Sequence, residues 1–140
     1  MISQYDARYV IKEIRNRRYY AEKIREYDDQ IREIDRKILD VTAPHSPSIE
    51  AEPHGSQQTH EQRWAALFDE KDVVETERAL WAIKKTRAER YYQILMRSGE
   101  TEFVRDFFNG TPMEAVEMKH HYANAYRTMV RYVRRAIRKI

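Results

Sequence analysis

The sequence predicts an all-α chain: a long helical hairpin or coiled-coil arm followed by a C-terminal three-helix helix-turn-helix domain. Three observations carry that expectation. Glycine occurs three times and proline four times in 140 residues, too few for the many tight turns of sandwiches and barrels. Apolar residues recur every three or four positions over long stretches, which is the period of a helix face. From Lys119 to Ile140 there are seven basic side chains and no acidic one, the pattern of a helix that meets a polyanion.

The first element is expected over about residues 4–41. Val10, Ile14 and Ala21 lead into a heptad seam with Ile24, Ile31 and Ile38 in one column and Tyr27, Ile34 and Val41 in the other, so this helix needs a partner along its length. Charges such as Glu33 and Lys37 dress the opposite, solvated face. Residues 42–61 read as a flexible linker, because Pro44, Pro47, Pro53 and Gly55 fall among Ser, Thr, His and Gln. Three histidines lie there, His45, His54 and His60, at spacings that match no usual zinc pattern, and no metal site is expected.

A second long helix is expected over about 62–97. Leu67, Val74, Trp81, Ala88 and Leu95 form one column, and Ala66, Val73, Leu80 and Ile94 a second, broken by Arg87. Both columns, with Trp64, Trp81, Tyr91 and Tyr92, are expected to pack on the first helix and close the hairpin. Residues 1–98 therefore read as a helical arm, ended by Ser98-Gly99, and residues 99–140 as the helix-turn-helix domain.

Within that domain, Thr101 to Phe108 carries four apolar residues and stops at the turn dipeptide Asn109-Gly110. Thr111-Pro112-Met113-Glu114 has the spacing of a capping box with proline at the first helical position, which starts a helix of about two turns, Pro112 to Met118. A final helix is expected from Tyr122 to Ile140, with Tyr122, Tyr126, Met129, Val133, Ile137 and Ile140 inward and Asn124, Thr128, Arg131 and Arg135 outward. Three helices with a brief middle one and a short connection to a basic last one follow the helix-turn-helix plan.

Double-stranded DNA is the expected partner. Residues early in such a helix meet base edges, where an amide like Asn124 suits adenine and arginine suits guanine; Thr128 and Arg131 belong to the same reading face. Arg134, Arg135, Arg138 and Lys139 are expected to meet phosphates, which set affinity and register without reading sequence. Lys119 and Arg127 complete the DNA-binding set.

The order of parts resembles the phage and prophage transcriptional regulators of the RinA and ArpU type. The resemblance is carried by Phe107-Phe108, by Thr111-Pro112-Met113-Glu114-Ala115-Val116, and by Tyr126-Arg127 with Arg134-Arg135-Ala136-Ile137. It implies a sigma-factor-like C-terminal helix-turn-helix and activation of phage late genes in the bacterial host cytoplasm; the long seams of the arm imply in turn self-association as a homodimer or contact with RNA polymerase. In this sequence Ala123 stands where such domains place a capping serine, and His120-His121 replace the glycine of the turn.

Other function classes find little support. The chain lacks cysteine, which removes disulfides and thiolate chemistry. No phosphate-binding glycine loop, nucleophile elbow or zinc-protease motif appears, so neither catalysis nor a cofactor is expected. No apolar run reaches the length of a bilayer, and MISQYDARYVIKE carries charge where a signal peptide is apolar; a cytoplasmic protein without a membrane partner is expected. Two other readings share the composition: a small terminase subunit that binds DNA for packaging, and a structural helical-hairpin module that binds protein.

Overall fold

The computed structural model describes residues 1–42 and 59–140. Most of the expected linker, with His45 and His54, lies outside the described residues. The described residues form six α-helices and no strand, and 83% of them are helical. The helices are α1 (Gln4–Arg15), α2 (Arg17–Thr42), α3 (His60–Met96), α4 (Thr101–Phe108), α5 (Met113–His120) and α6 (Ala125–Ala136). They gather into two compact units, residues 22–81 and residues 1–21 with 82–140. The boundaries thus fall at Ala21 and Trp81, not at residue 98, and α1 belongs with the C-terminal helices.

The expected single helix over 4–41 is interrupted at Asn16, which has φ −86° and ψ 6°. The apolar repeat lapses there at Arg17 and Arg18, and asparagine is a weak helix former. The Asn16 N–H is shared between the Lys12 and Glu13 carbonyls at 3.1 and 3.2 Å. Arg17 then turns back, its Nε donating to the Ile14 carbonyl at 2.9 Å and its guanidinium lying 3.9 Å above the Tyr92 ring. α3 starts two residues earlier than expected. Thr59 and Gln62 exchange side-chain hydrogen bonds with each other's backbone N–H at 3.1 and 2.9 Å, a reciprocal cap that satisfies two otherwise orphaned donors.

In the unit formed by residues 22–81, α2 and α3 run antiparallel. Arg78 pairs with Asp28, Lys71 with Asp35 at 2.7 Å, and Lys23 lies 6.0 Å from the Trp81 ring centroid; as the number falls on one helix it rises on the other. The heptad seam of α2 is at least half-buried throughout, with Ile34 fully so, and Val74 supplies the buried centre of the α3 column. The second α3 column behaves differently. Val73 and Leu80 are 59% and 58% exposed, because they lie on the side of α3 away from Lys71 and Arg78, the residues that reach α2. Trp64 is also exposed, resting edge-on against Phe68 with ring centroids 4.5 Å apart, and does not fill the seam.

The unit formed by 1–21 and 82–140 holds the main core. Val10, Ile11 and Ile14 of α1 meet Leu95 of α3, Phe103, Val104 and Phe107 of α4, Val116 of α5, and Met129 and Val133 of α6, all essentially excluded from water. α1 packs along α6. Tyr132 of α6 donates to the Leu95 carbonyl at 2.9 Å and so joins α6 to the end of α3. Glu13 is the one charged side chain in this core among the described residues; it accepts from Tyr20 at 2.7 Å and from Arg87 at 3.4 Å. Burial, and next the hydrogen bond to Glu13, push the Tyr20 phenol up to about 12.

Two glycines act as expected from the sequence. Gly99 (φ 112°) and Gly110 (φ 83°) end α3 and α4 in a backbone region that side chains disfavour. The expected capping box at Thr111 does not form: Pro112 occupies the N-cap of α5 without a side-chain cap bond, and the helix begins at Met113. α6 is shorter than expected at both ends. It starts after Asn124 and ends at Ala136, where Ile137 turns extended (φ −96°, ψ 111°) and buries its side chain in the core. Arg138 and Lys139 therefore lie beyond the helix and share no helical face with Arg131.

Candidate nucleic-acid interface

The turn into α6 is built from residues that glycine usually replaces. His121 takes a left-handed conformation (φ 60°, ψ 41°), and the Tyr122 N–H donates to the Glu117 carbonyl at 3.0 Å, the six-residue bond of a Schellman end. His120 does not simply decorate the turn. Its Nε2 lies 2.8 Å from Asp106 Oδ2 on α4, and Lys119 Nζ lies 2.9 Å from the same oxygen. Lys119, and then His120, hold the Asp106 carboxyl below its ordinary range, and Asp106 in turn raises Lys119. Lys119 thus has an ion-pair partner within the chain, Asp106, whose Oδ2 also meets His120.

Asn124 is the N-cap that the sequence lacked at Ala123. Its side-chain oxygen accepts from the Arg127 N–H at 2.9 Å, while Glu117 accepts from the Ala125 N–H at 2.8 Å. Two of the orphaned donors at the start of α6 are therefore satisfied from within. The cap uses one lone pair of the Asn124 oxygen and leaves the amide nitrogen uncommitted. Thr128 is also engaged locally, its hydroxyl donating to the Asn124 carbonyl at 2.9 Å.

The remaining arginines of α6 divide between two hollows. Arg127, Arg131 and Arg134 follow one another at four and three residues along one side of the helix. Together with Gln4 and Arg8 of α1 and with Asn124 they line a cleft of about 570 Å³, whose apolar lining comes from Tyr126 and Val130. No carboxylate lines it. Arg127 and Arg131 are exposed, whereas Arg134 is half-buried and donates through Nε to the Ile2 carbonyl at 3.0 Å. Arg135 and Arg138 line a second, separate hollow with Ser98 and Tyr132, and Lys139 is exposed beyond it.

Of the nine DNA-binding candidates, the structure thus brings Asn124, Arg127, Arg131 and Arg134 to one cleft, sets Arg135 and Arg138 in another, and leaves Lys119, Thr128 and Lys139 outside both. It adds Arg8, which charge counting at the C-terminus overlooks. A signal for it exists: Arg8, Lys12 and Arg15 repeat at four and three residues beside the apolar positions Ala7, Val10, Ile11 and Ile14, the edge of a helix that borders its packing partner. Arg15 occupies that edge too, 4.9 Å from the Phe107 ring centroid and 5.5 Å from that of Tyr126.

Four guanidinium groups in one concavity repel each other, and an anion converts that repulsion into attraction. Arginine forks suit phosphate oxygens in particular, since they offer two parallel donors. Among the described residues no three His, Asp or Glu side chains gather as a metal ion would require, and no helix is long and apolar enough to cross a membrane. Comparison with protein-family models, with curated proteins and with solved structures gives no match for this chain.

Proposed function

We propose that the protein binds double-stranded DNA through the α6 side of its main core and acts as a transcriptional regulator, with activation of phage late genes as the role its parts resemble. The observation that carries this reading is the carboxylate-free cleft in which Arg8, Arg127, Arg131 and Arg134 meet. α5, the left-handed turn at His121 and α6 supply the helix-turn-helix plan, with α6 as the recognition helix. Arg127, Arg131 and Arg134 give α6 its positive side, and Arg135, Arg138 and Lys139 extend the phosphate contacts. The hairpin of α2 and α3 would serve self-association or contact with RNA polymerase in the host cytoplasm. For the first of these, Ala66, Val73 and Leu80 offer an exposed column at seven-residue spacing that the same column of a second copy could cover.

Selection of bound fragments from a random duplex library tests the regulator reading. A sequence-specific regulator enriches one family of sites and binds it at least about a thousandfold more tightly than random duplex. Binding without enrichment removes the regulator and leaves a sequence-blind DNA binder, and no duplex binding at all removes the DNA reading.

A further inference from the structure

Building on that reading, we infer that the cleft between α1 and α6 is a clamp for a single backbone phosphate, closed by Arg8 from α1 together with Arg127 and Arg131 from α6. Several cations elsewhere in the chain have internal partners. Arg78 has Asp28, Lys71 has Asp35, Arg87 has Glu13 and Lys119 has Asp106, while Arg15 and Arg17 lie over aromatic rings. Among the described residues, Arg8, Arg127 and Arg131 make no ion pair, and all three line one hollow that contains no carboxylate. Unpaired like charges held together by two packed helices cost stability in the free protein, and a phosphate diester removes that cost with the donor geometry guanidinium groups match best.

Arg134 has a different task in the same cleft. Its Nε is committed to the Ile2 carbonyl, and Ile2 itself is buried in the core. One residue later Ser3 caps α1 by accepting from the Asp6 N–H at 3.0 Å. The bond from Arg134 therefore fixes the start of α1 against α6, and Gln4 and Arg8, one turn apart, are carried with it. Arg134 is a positioning residue: it sets where Arg8 stands. The clamp makes the N-terminal helix part of the nucleic-acid surface, a role outside the C-terminal basic helix.

The test follows the arginine side-chain Nε–H resonances of the full chain by NMR as inorganic pyrophosphate is added, alongside random-duplex binding measured by fluorescence anisotropy. The clamp requires the Arg8, Arg127 and Arg131 signals to move together on one saturation curve while Arg97 stays still. Arg8→Gln should weaken duplex binding about tenfold, the effect of losing one charge-assisted contact, and make the log-affinity against log-salt slope shallower by no more than about one. Arg97→Gln should change neither. Arg134→Lys keeps the charge and loses the fork, so it should uncouple the Arg8 signal from the other two. An Arg8 signal that stays still, with Arg8→Gln binding duplex like the unaltered chain, overturns the clamp and leaves the DNA reading standing. Joint saturation by pyrophosphate without any duplex binding keeps the phosphate site and overturns the DNA reading.

Discussion

Replacing Ile11 by alanine asks whether α1 is structurally part of the C-terminal core. Ile11 is 1% exposed and sits in the same cluster as Leu95, Phe103, Val104 and Met129. The change deletes three carbons, worth about 2.4 kcal/mol at roughly 0.8 kcal/mol per buried methylene, and the unfilled cavity adds to it, for a total of about 3 to 4 kcal/mol within the range of buried isoleucine truncations. The unit of residues 1–21 and 82–140 is of the size for which each kcal/mol moves the melting midpoint by about 4 to 8 °C, so a fall of at least about 12 °C is expected. Urea unfolding followed by circular dichroism gives the free energy, and Val133→Ala on α6 provides the comparison. If Ile11→Ala costs less than about 1 kcal/mol while Val133→Ala costs about 2 kcal/mol or more, α1 is not integral to this core, and the cleft it shares with α6 loses its foundation. By the same reasoning a fragment of residues 99–140 should fail to fold, since the core residues of α1 and α3 would be missing and so short a chain buries too little surface alone.

The other expectations concern ionisation and assembly. The Tyr20 phenol should ionise near pH 12 in ultraviolet titration; because its folded-state value is raised, its stabilising contribution is complete below about pH 10 and is lost as pH climbs toward the folded value. Glu13→Gln should move that titration back toward the ordinary range, and an unshifted Tyr20 in the unaltered chain would refute the buried Tyr20–Glu13 pair. Asp106 is held low by Lys119 and His120, so its contribution is present above the ordinary carboxylate range near pH 4 and disappears as pH falls through the depressed folded value. Asp106→Asn should accordingly be less stable than the unaltered chain near neutrality and converge with it in acid, and a gap that persists unchanged at low pH would contradict the pairing. Val73→Lys with Leu80→Lys should convert a light-scattering dimer to monomer while leaving helicity unchanged; an unaltered chain that stays monomeric at high concentration removes self-association from the proposed role.

Local patterns in the sequence carry much of this fold. The seam of α2, the Leu67-Val74-Trp81 column, the bounds of α4 at Thr101 and Phe108, and the inward Met129, Val133 and Ile137 all follow from periodicity and turn chemistry, which act within a few residues. The differences arise where distant parts meet. A helical wheel places Val10 and Ile14 on an apolar face without saying that α6 covers it, so the pairing of α1 with the C-terminal helices escapes a reading made along the chain. It also leaves open which of two α3 columns meets α2, a choice the Lys71–Asp35 and Arg78–Asp28 pairs accompany. End effects are the second source. Asn124 caps α6 because its oxygen reaches the Arg127 N–H, and Ile137 leaves the helix with an extended backbone and its side chain in the core. Both shorten the helix that the apolar periodicity predicts over 122–140 and leave Asn124, Arg138 and Lys139 outside it. For the candidate site, the basic residues were legible as a charge run, but their division between two hollows depends on α1 and on the end of α3.

The most direct test of the central claim is the salt dependence of random-duplex binding for the full chain and for Arg131→Ala. One phosphate clamped by Arg8, Arg127 and Arg131, with three more met by Arg135, Arg138 and Lys139, predicts a log-affinity against log-salt slope of about −3.6, from roughly 0.9 per neutralised phosphate, and weaker binding for Arg131→Ala. A slope near zero, or an Arg131→Ala protein that matches the unaltered chain at every salt concentration, would contradict the assignment of this cleft to nucleic acid.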